Sequence, residues 1–274
     1  VNRRDFVTAA MAAGGGWLSA GAVTQAVQGN QGGRPQGRAT EYYELRRYRL
    51  RRGPGQALTD NYLRTAALPA WQRAGVGPIG VFSVMIGAGS PTLYVLLVYP
   101  SFEAFTSLPE RLAADAEYEK AAAAYLNAEA TAPAFERIDA SLMRPLDAMP
   151  KLELPFGGGE SGRRSRMFEL RVYESHSEKA AKKKIEMFNR AEIAIFRRAG
   201  LTPVFFGETL VGGSMPNLTY MLVYDDMPAH DKQWAAFSAD PEWKKLSTTP
   251  GYTDPEIVSS ISNTYLRPTS YSQI

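Results

Sequence analysis

The sequence predicts an α+β protein: two ferredoxin-like βαββαβ repeats packed sheet to sheet as an intramolecular α/β barrel, the single-chain counterpart of a dimeric α/β barrel. Three observations lead there. The strand-like hexapeptide "YELRRY" at residues 43–48 returns as "FELRVY" at residues 168–173, a shift of 125 residues. At the same shift, turn and core residues recur together. Arg73-Ala74-Gly75 meets Arg198-Ala199-Gly200, Pro78 meets Pro203, and Gly87 and Pro91 meet Gly212 and Pro216. Leu97-Val98-Tyr99 meets Leu222-Val223-Tyr224, and Ala114-Asp115 meets Ala239-Asp240. Self-similarity at a fixed period marks a duplicated structural unit. Finally, each unit reads strand, helix, strand, strand, helix, strand, the order of a split βαβ unit.

The second copy shows each element in turn. Residues 167–173 alternate apolar and polar side chains, the period of a strand. Over residues 177–199, Ala181, Ile185, Phe188, Ile195 and Ala199 return at helical spacing, and Gly200 supplies the stop. Residues 204–211 and 218–224 are two strands around the turn "GGSMPN". Residues 227–246 are helical again, with a break expected at Pro241. Residues 257–266 supply the last strand, after a two-residue slip in the repeat that aligns Arg144-Pro145 with Arg267-Pro268. Such a sheet carries helices on one face and leaves the other bare. Two bare apolar faces in one chain can shield each other from water, and that closes the barrel. The resulting organisation is a leader at residues 1–38, a first domain at 39–150, a Pro- and Gly-rich linker at 151–165 and a second domain at 166–274.

Composition narrows the function classes. Hydrophobic residues make up 45% and charged residues 22%, the balance of a globular chain. A net charge of +3 with no basic stripe argues against a nucleic-acid partner. The densest basic run, residues 179–184, lies in an amphipathic pattern and reads as a solvated helix face. There is no cysteine, which excludes disulfides, a thiolate nucleophile and Cys-based metal sites. Two histidines are too few for a His-rich metal site, and no cofactor is implied. No phosphate-binding Gly-rich loop with Lys and Ser/Thr is present, nor a nucleophile elbow.

The first residues read as a targeting segment. Arg3 and Arg4 precede Phe6, Val7 and a diluted apolar stretch ending in small residues at Ala20-Gly21-Ala22. The pattern resembles a bacterial twin-arginine export signal, with Thr8 in place of the customary Lys. The expected location is therefore periplasmic or secreted, with membrane contact only during export.

"FELRVY", "RRAGLTPVFFGETLVG", "LTYMLVY" and "SADPEW" together resemble a NIPSNAP domain, and the first copy carries a weaker version in "YELRRY", "LPAWQRAGVGPIG" and "ADAEY". The resemblance covers the chain after the leader. It implies the fold just derived and no settled activity. Family members are discussed as binding or scaffolding proteins, and the wider barrel superfamily includes small-molecule oxygenases, isomerases and haem enzymes.

Candidate residues follow from strand alternation. Phe168, Leu170 and Val172 suit the helix-covered face, so Glu169, Arg171 and Tyr173 are expected to point into the barrel, as are Glu44, Arg46 and Tyr48. Buried Glu and Arg must pair. Two readings stay open: Glu44 and Glu169 hold structural ion pairs, or Arg46 or Arg171 binds an anionic or carbonyl-bearing ligand with Tyr48, Tyr173 or Tyr220 beside it. Glu208, between Gly207 and Thr209, is either an acid or base raised in pKa by burial or a rim salt bridge. His176, past a strand end, and His230, near a helix start, suit proton transfer or haem ligation, with plain surface or helix-end placement as the alternative. Trp71, Trp234, Trp243 and Tyr118 read as core. The expected function is binding of a small molecule or protein partner in or around the barrel; the alternative is a cofactor-independent oxygenase or isomerase. Homo-oligomerisation is expected to be compatible with either.

Overall fold

The computed structural model describes residues 40–89, 91–155 and 166–274. The leader and the Gly-rich centre of the linker lie outside the described residues. In the first repeat the order is β1 (Tyr42–Arg49), α1 (Pro54–Tyr62), α2 (Leu68–Arg73), β2 (Ile79–Ile86), β3 (Thr92–Tyr99), α3 (Phe102–Ala113), α4 (Ala116–Leu126) and β4 (Arg137–Pro145). The second repeats it: β5 (Met167–Glu174), α5 (Glu178–Met187), α6 (Ile193–Arg198), β6 (Thr202–Val211), β7 (Asn217–Tyr224), α7 (Met227–Ala239), α8 (Pro241–Ser247), α9 (Asp254–Ile257) and β8 (Ser260–Pro268). The expected break at Pro241 is present. Asp240, held extended before the proline, ends α7 and caps α8 by accepting from the Glu242 and Trp243 N–H groups.

Between α1 and α2 the chain makes a five-residue π-turn, Leu63–Ala67, and between α5 and α6 it makes another, Phe188–Glu192. Adding 125 to the first range gives the second, so the wide turn is part of the repeated unit.

The strands form one closed antiparallel barrel in the order β1-β3-β2-β8-β5-β7-β6-β4. Within each repeat the order is that of a ferredoxin-like sheet. The halves join by hydrogen-bonded edges as well as by facing surfaces: β2 pairs with β8 and β4 with β6. Closure leaves none of these eight strands with a free edge.

Among the described residues, three of the four apolar clusters are layers against the sheet, the fourth lying under α9 around Met187, Tyr252 and Ile257. One layer lies inside the barrel and draws on both repeats, with Tyr43, Phe82, Leu96, Phe168, Leu170, Phe205 and Met221 among its members. The other two lie between each half-sheet and its helices, around Trp71 and Tyr99 in the first repeat and Phe188, Phe196 and Tyr220 in the second. The strand-face expectation is therefore reversed. Phe168 and Leu170 fill the barrel, while Glu169, Arg171 and Tyr173 face the helices of their own repeat, as do Glu44, Arg46 and Tyr48. Alternation separates two faces without saying which is inner. The barrel centre requires bulky apolar side chains from all around it, whereas the helical layers offer tyrosine, tryptophan and histidine partners for a charge.

One end of the barrel is filled. Ile274 is buried in the inner layer, and the segment leading to it pairs with β2: the Thr269 and Gln273 N–H groups donate to Val81 and Ile79 carbonyls. The other end opens as a polar mouth.

Candidate functional site

The polar layer beneath the second repeat's helices concentrates the reactive side chains. β5 delivers Glu169, which is fully buried. It accepts from Arg171 Nη1 at 2.6 Å, the Tyr224 hydroxyl at 3.0 Å and Trp234 Nε1 at 3.2 Å, and His230 Nε2 lies 3.5 Å away. Arg171 also donates from Nη2 to the Tyr173 hydroxyl at 3.0 Å, and its guanidinium stacks over the Trp234 ring at 4.5 Å. Tyr220 donates to Tyr173 at 3.1 Å. Burial, reinforced by Glu169 for Tyr224 and by Tyr173 for Tyr220, pushes both phenols far above the ordinary tyrosine pKa, so they remain protonated donors at neutral pH. Arg171 Nε is buried and has no hydrogen-bond partner among the described residues. The Arg171 and His230 side chains keep 12% and 13% exposure, which leaves the layer open to solvent beside them. His230 Nε2 also lies 3.2 Å from the Tyr265 hydroxyl, and Nδ1 lies 2.8 Å from Asp231, so both ring nitrogens have polar partners.

The first repeat holds a simpler version. Arg46 donates twice to Glu44, at 2.7 and 3.0 Å, and lies over the Trp71 ring at 5.4 Å. The Tyr99 hydroxyl donates to Glu44 at 2.6 Å. Tyr48 is buried in the same layer, packing edge-on against Phe135. At the repeat shift, however, Phe105 stands for His230, Pro109 for Trp234 and Val95 for Tyr220.

The sequence reading missed a second ionic group. Lys184, assigned to a solvated face, is 1% exposed, and its ammonium lies 3.4 Å from Glu192 on the π-turn and 3.6 Å from Asp254. The helix turns inward here because Ala181, Met187 and Phe188 pull this face onto β5 and β7. Burial raises the Glu192 carboxyl to about 7, with Lys184 pulling the other way. The signal lay in the repeat itself: Thr59 and Ala67 occupy these positions in the first copy. Asp254 could not be anticipated, since it enters on the unforeseen helix α9.

Glu208 lies apart from this layer. It sits across from Arg144 in the β4–β6 ladder and forms a salt bridge with it, lining a surface cleft of about 750 Å3 with Asp147, Lys151 and Asn189. His176 is exposed. Trp71 and Tyr118 are core, and Trp234 and Trp243 pack against it while partly exposed.

The NIPSNAP family pattern matches residues 43–150 and 168–273. No curated protein matches. Among solved structures, a candidate monooxygenase from Fusobacterium nucleatum is 10% identical, covers 84% of this chain and 93% of its own, and superposes with a TM-score of 0.53. Another, from Lactobacillus acidophilus, is 11% identical, covers 85% of this chain and 97% of its own, with a TM-score of 0.54. An uncharacterised NIPSNAP-like protein from Burkholderia xenovorans is 22% identical, covers 40% of this chain and 90% of its own, with a TM-score of 0.37. At such identities the Fusobacterium and Lactobacillus structures share the fold, and nothing more is carried across.

Proposed function

Since the chain belongs to the NIPSNAP family, whose fold alone assigns no chemistry, we propose that it is an exported small-molecule-binding protein whose ligand meets Arg171 in the second repeat. The carrying observation is the buried, unpartnered Arg171 Nε beside a guanidinium already fixed by Glu169 and Trp234. A cation held this way suits an anionic or carbonyl oxygen. Tyr173 and Tyr220 offer hydroxyls alongside, and Trp234 offers a ring face. Arg46, whose Nε and Nη2 both donate to Glu44 and whose repeat has Phe105 in place of His230, is assigned the structural role.

Native mass spectrometry of protein purified from its own host tests this. The wild type and Arg46→Met are expected to retain a small molecule, and Arg171→Met to lose it with at least roughly tenfold weaker rebinding. Absence of any bound species on the wild type, or its survival in Arg171→Met, would overturn the reading. Export rests on the sequence pattern. Changing Arg3 and Arg4 to Lys in the precursor should block it, and unimpaired export would remove the twin-arginine assignment.

One observation favours a cofactor-independent oxygenase or isomerase as a second reading. His230 turns Nε2 to Glu169 and the Tyr265 hydroxyl and Nδ1 to Asp231 at the layer's open side, an arrangement able to take a proton on one ring nitrogen and release it from the other. On this reading, turnover of a bound carbonyl or aromatic compound disappears in His230→Gln while binding persists.

A further inference from the structure

The barrel mouth carries a second, separate site. Its cavity is about 320 Å3, at the lower end of the size range of small-molecule pockets. Leu45, Tyr94, Leu170 and Val172 form an apolar wall, and hydroxyls from Ser141, Ser262 and Thr264 edge it. The charges are arranged by the barrel's geometry. Arg47 and Arg49 rise from β1, and both reach Asp139 on β4, at 2.8 and 3.2 Å. Two guanidinium groups against one carboxylate leave that side net positive. β5 stands opposite β1, with three strands between them either way round the barrel. It ends in Glu174, which lines the cavity and whose carboxylate has no partner among the described residues. Arg49 and Glu174 occupy equivalent places in the two repeats, since their numbers differ by 125. One side of the mouth is therefore cationic and the facing side anionic, across an apolar wall.

We propose that this mouth binds a small zwitterion, an α-amino acid with a compact apolar side chain. Its carboxylate turns to the Arg47–Arg49 side, its ammonium to Glu174, and its side chain to Leu170 and Val172. A simple anion would leave Glu174 facing it without compensation, and a simple cation would meet two guanidinium groups. Opposed charges thus select by repulsion as well as by attraction.

Calorimetric titration of the full chain with L-valine and L-leucine at up to millimolar concentrations tests the assignment, with valinamide and isovalerate as the matched single-charge controls. At least one amino acid should bind, and each control should bind roughly tenfold or more weakly. Glu174→Gln should weaken the amino acid by about the same factor. Ser262→Trp, which fills the mouth from β8, should abolish binding, and thermal melting establishes that both variants are folded. The proposal is overturned if neither amino acid binds, if a control binds as tightly, or if binding survives both substitutions in folded protein.

Discussion

Glu44 and Glu169 are the carboxylates around which each helical layer is organised, and each holds a guanidinium and a tyrosine hydroxyl at once. Removing one member of a buried pair strands the other, so Glu44→Gln or Glu169→Gln should lower stability by about 3 kcal/mol. The exposed pair Arg51–Glu136 should contribute under about 1 kcal/mol when broken. Urea denaturation midpoints separate the two cases. Glu192 gives a pH signature. Its carboxyl titrates near 7 when folded, against a reference value of 4.5. Between those values the folded chain keeps a proton that the unfolded chain has released, so stability should fall as pH rises across that window. Glu192→Gln should flatten that slope, whatever its baseline stability. At this scale the sequence showed the Glu–Arg pairing and the repeated tyrosines. It did not show which face of the strand would be dry, because alternation is symmetric and only closure breaks the symmetry.

Among the elements, the paired caps are the sharpest case. Asp115 accepts from the Tyr118 N–H and binds Arg73, while Asp240 accepts from the Glu242 and Trp243 N–H groups and binds Arg198. Asp115→Ala and Asp240→Ala should each cost about 1–2 kcal/mol, and similarly, as judged by thermal melting. The recurrence of Ala114-Asp115 and Ala239-Asp240 in register with Arg73 and Arg198 was legible, whereas the capping role of the two aspartates was not. Helix α9 was not foreseen. Four residues are too few for a periodic signal, although the Thr253–Glu256 capping box that starts it is written in the chain. The π-turns were equally hidden, because a helix that widens for five residues still returns apolar side chains at nearly the expected places.

For the whole molecule, the eight-strand circuit means that neither repeat is self-sufficient. Alone, residues 39–150 would expose the outer edges of β2 and β4 and the apolar inner surface with Tyr43, Phe82 and Leu96. That fragment should run as a dimer or larger species in size-exclusion chromatography, and a folded monomer would contradict the closure argument. The duplication was fully legible, and with it the sheet order. The edge pairing and the burial of Ile274 were not, because both are contacts between segments with no local pattern to announce them.

The matched π-turns have a further consequence. A wide turn at the same place in both copies belonged to the unit before it was copied, so what differs there now arose later. One copy keeps Thr59 and Ala67 at the positions where the other holds an ammonium and a carboxylate. Each half is thus a natural control for its sibling. Transplanting threonine and alanine to positions 184 and 192 would return the second half to its twin's plainer state, and any ability lost with them would date from the divergence of the two.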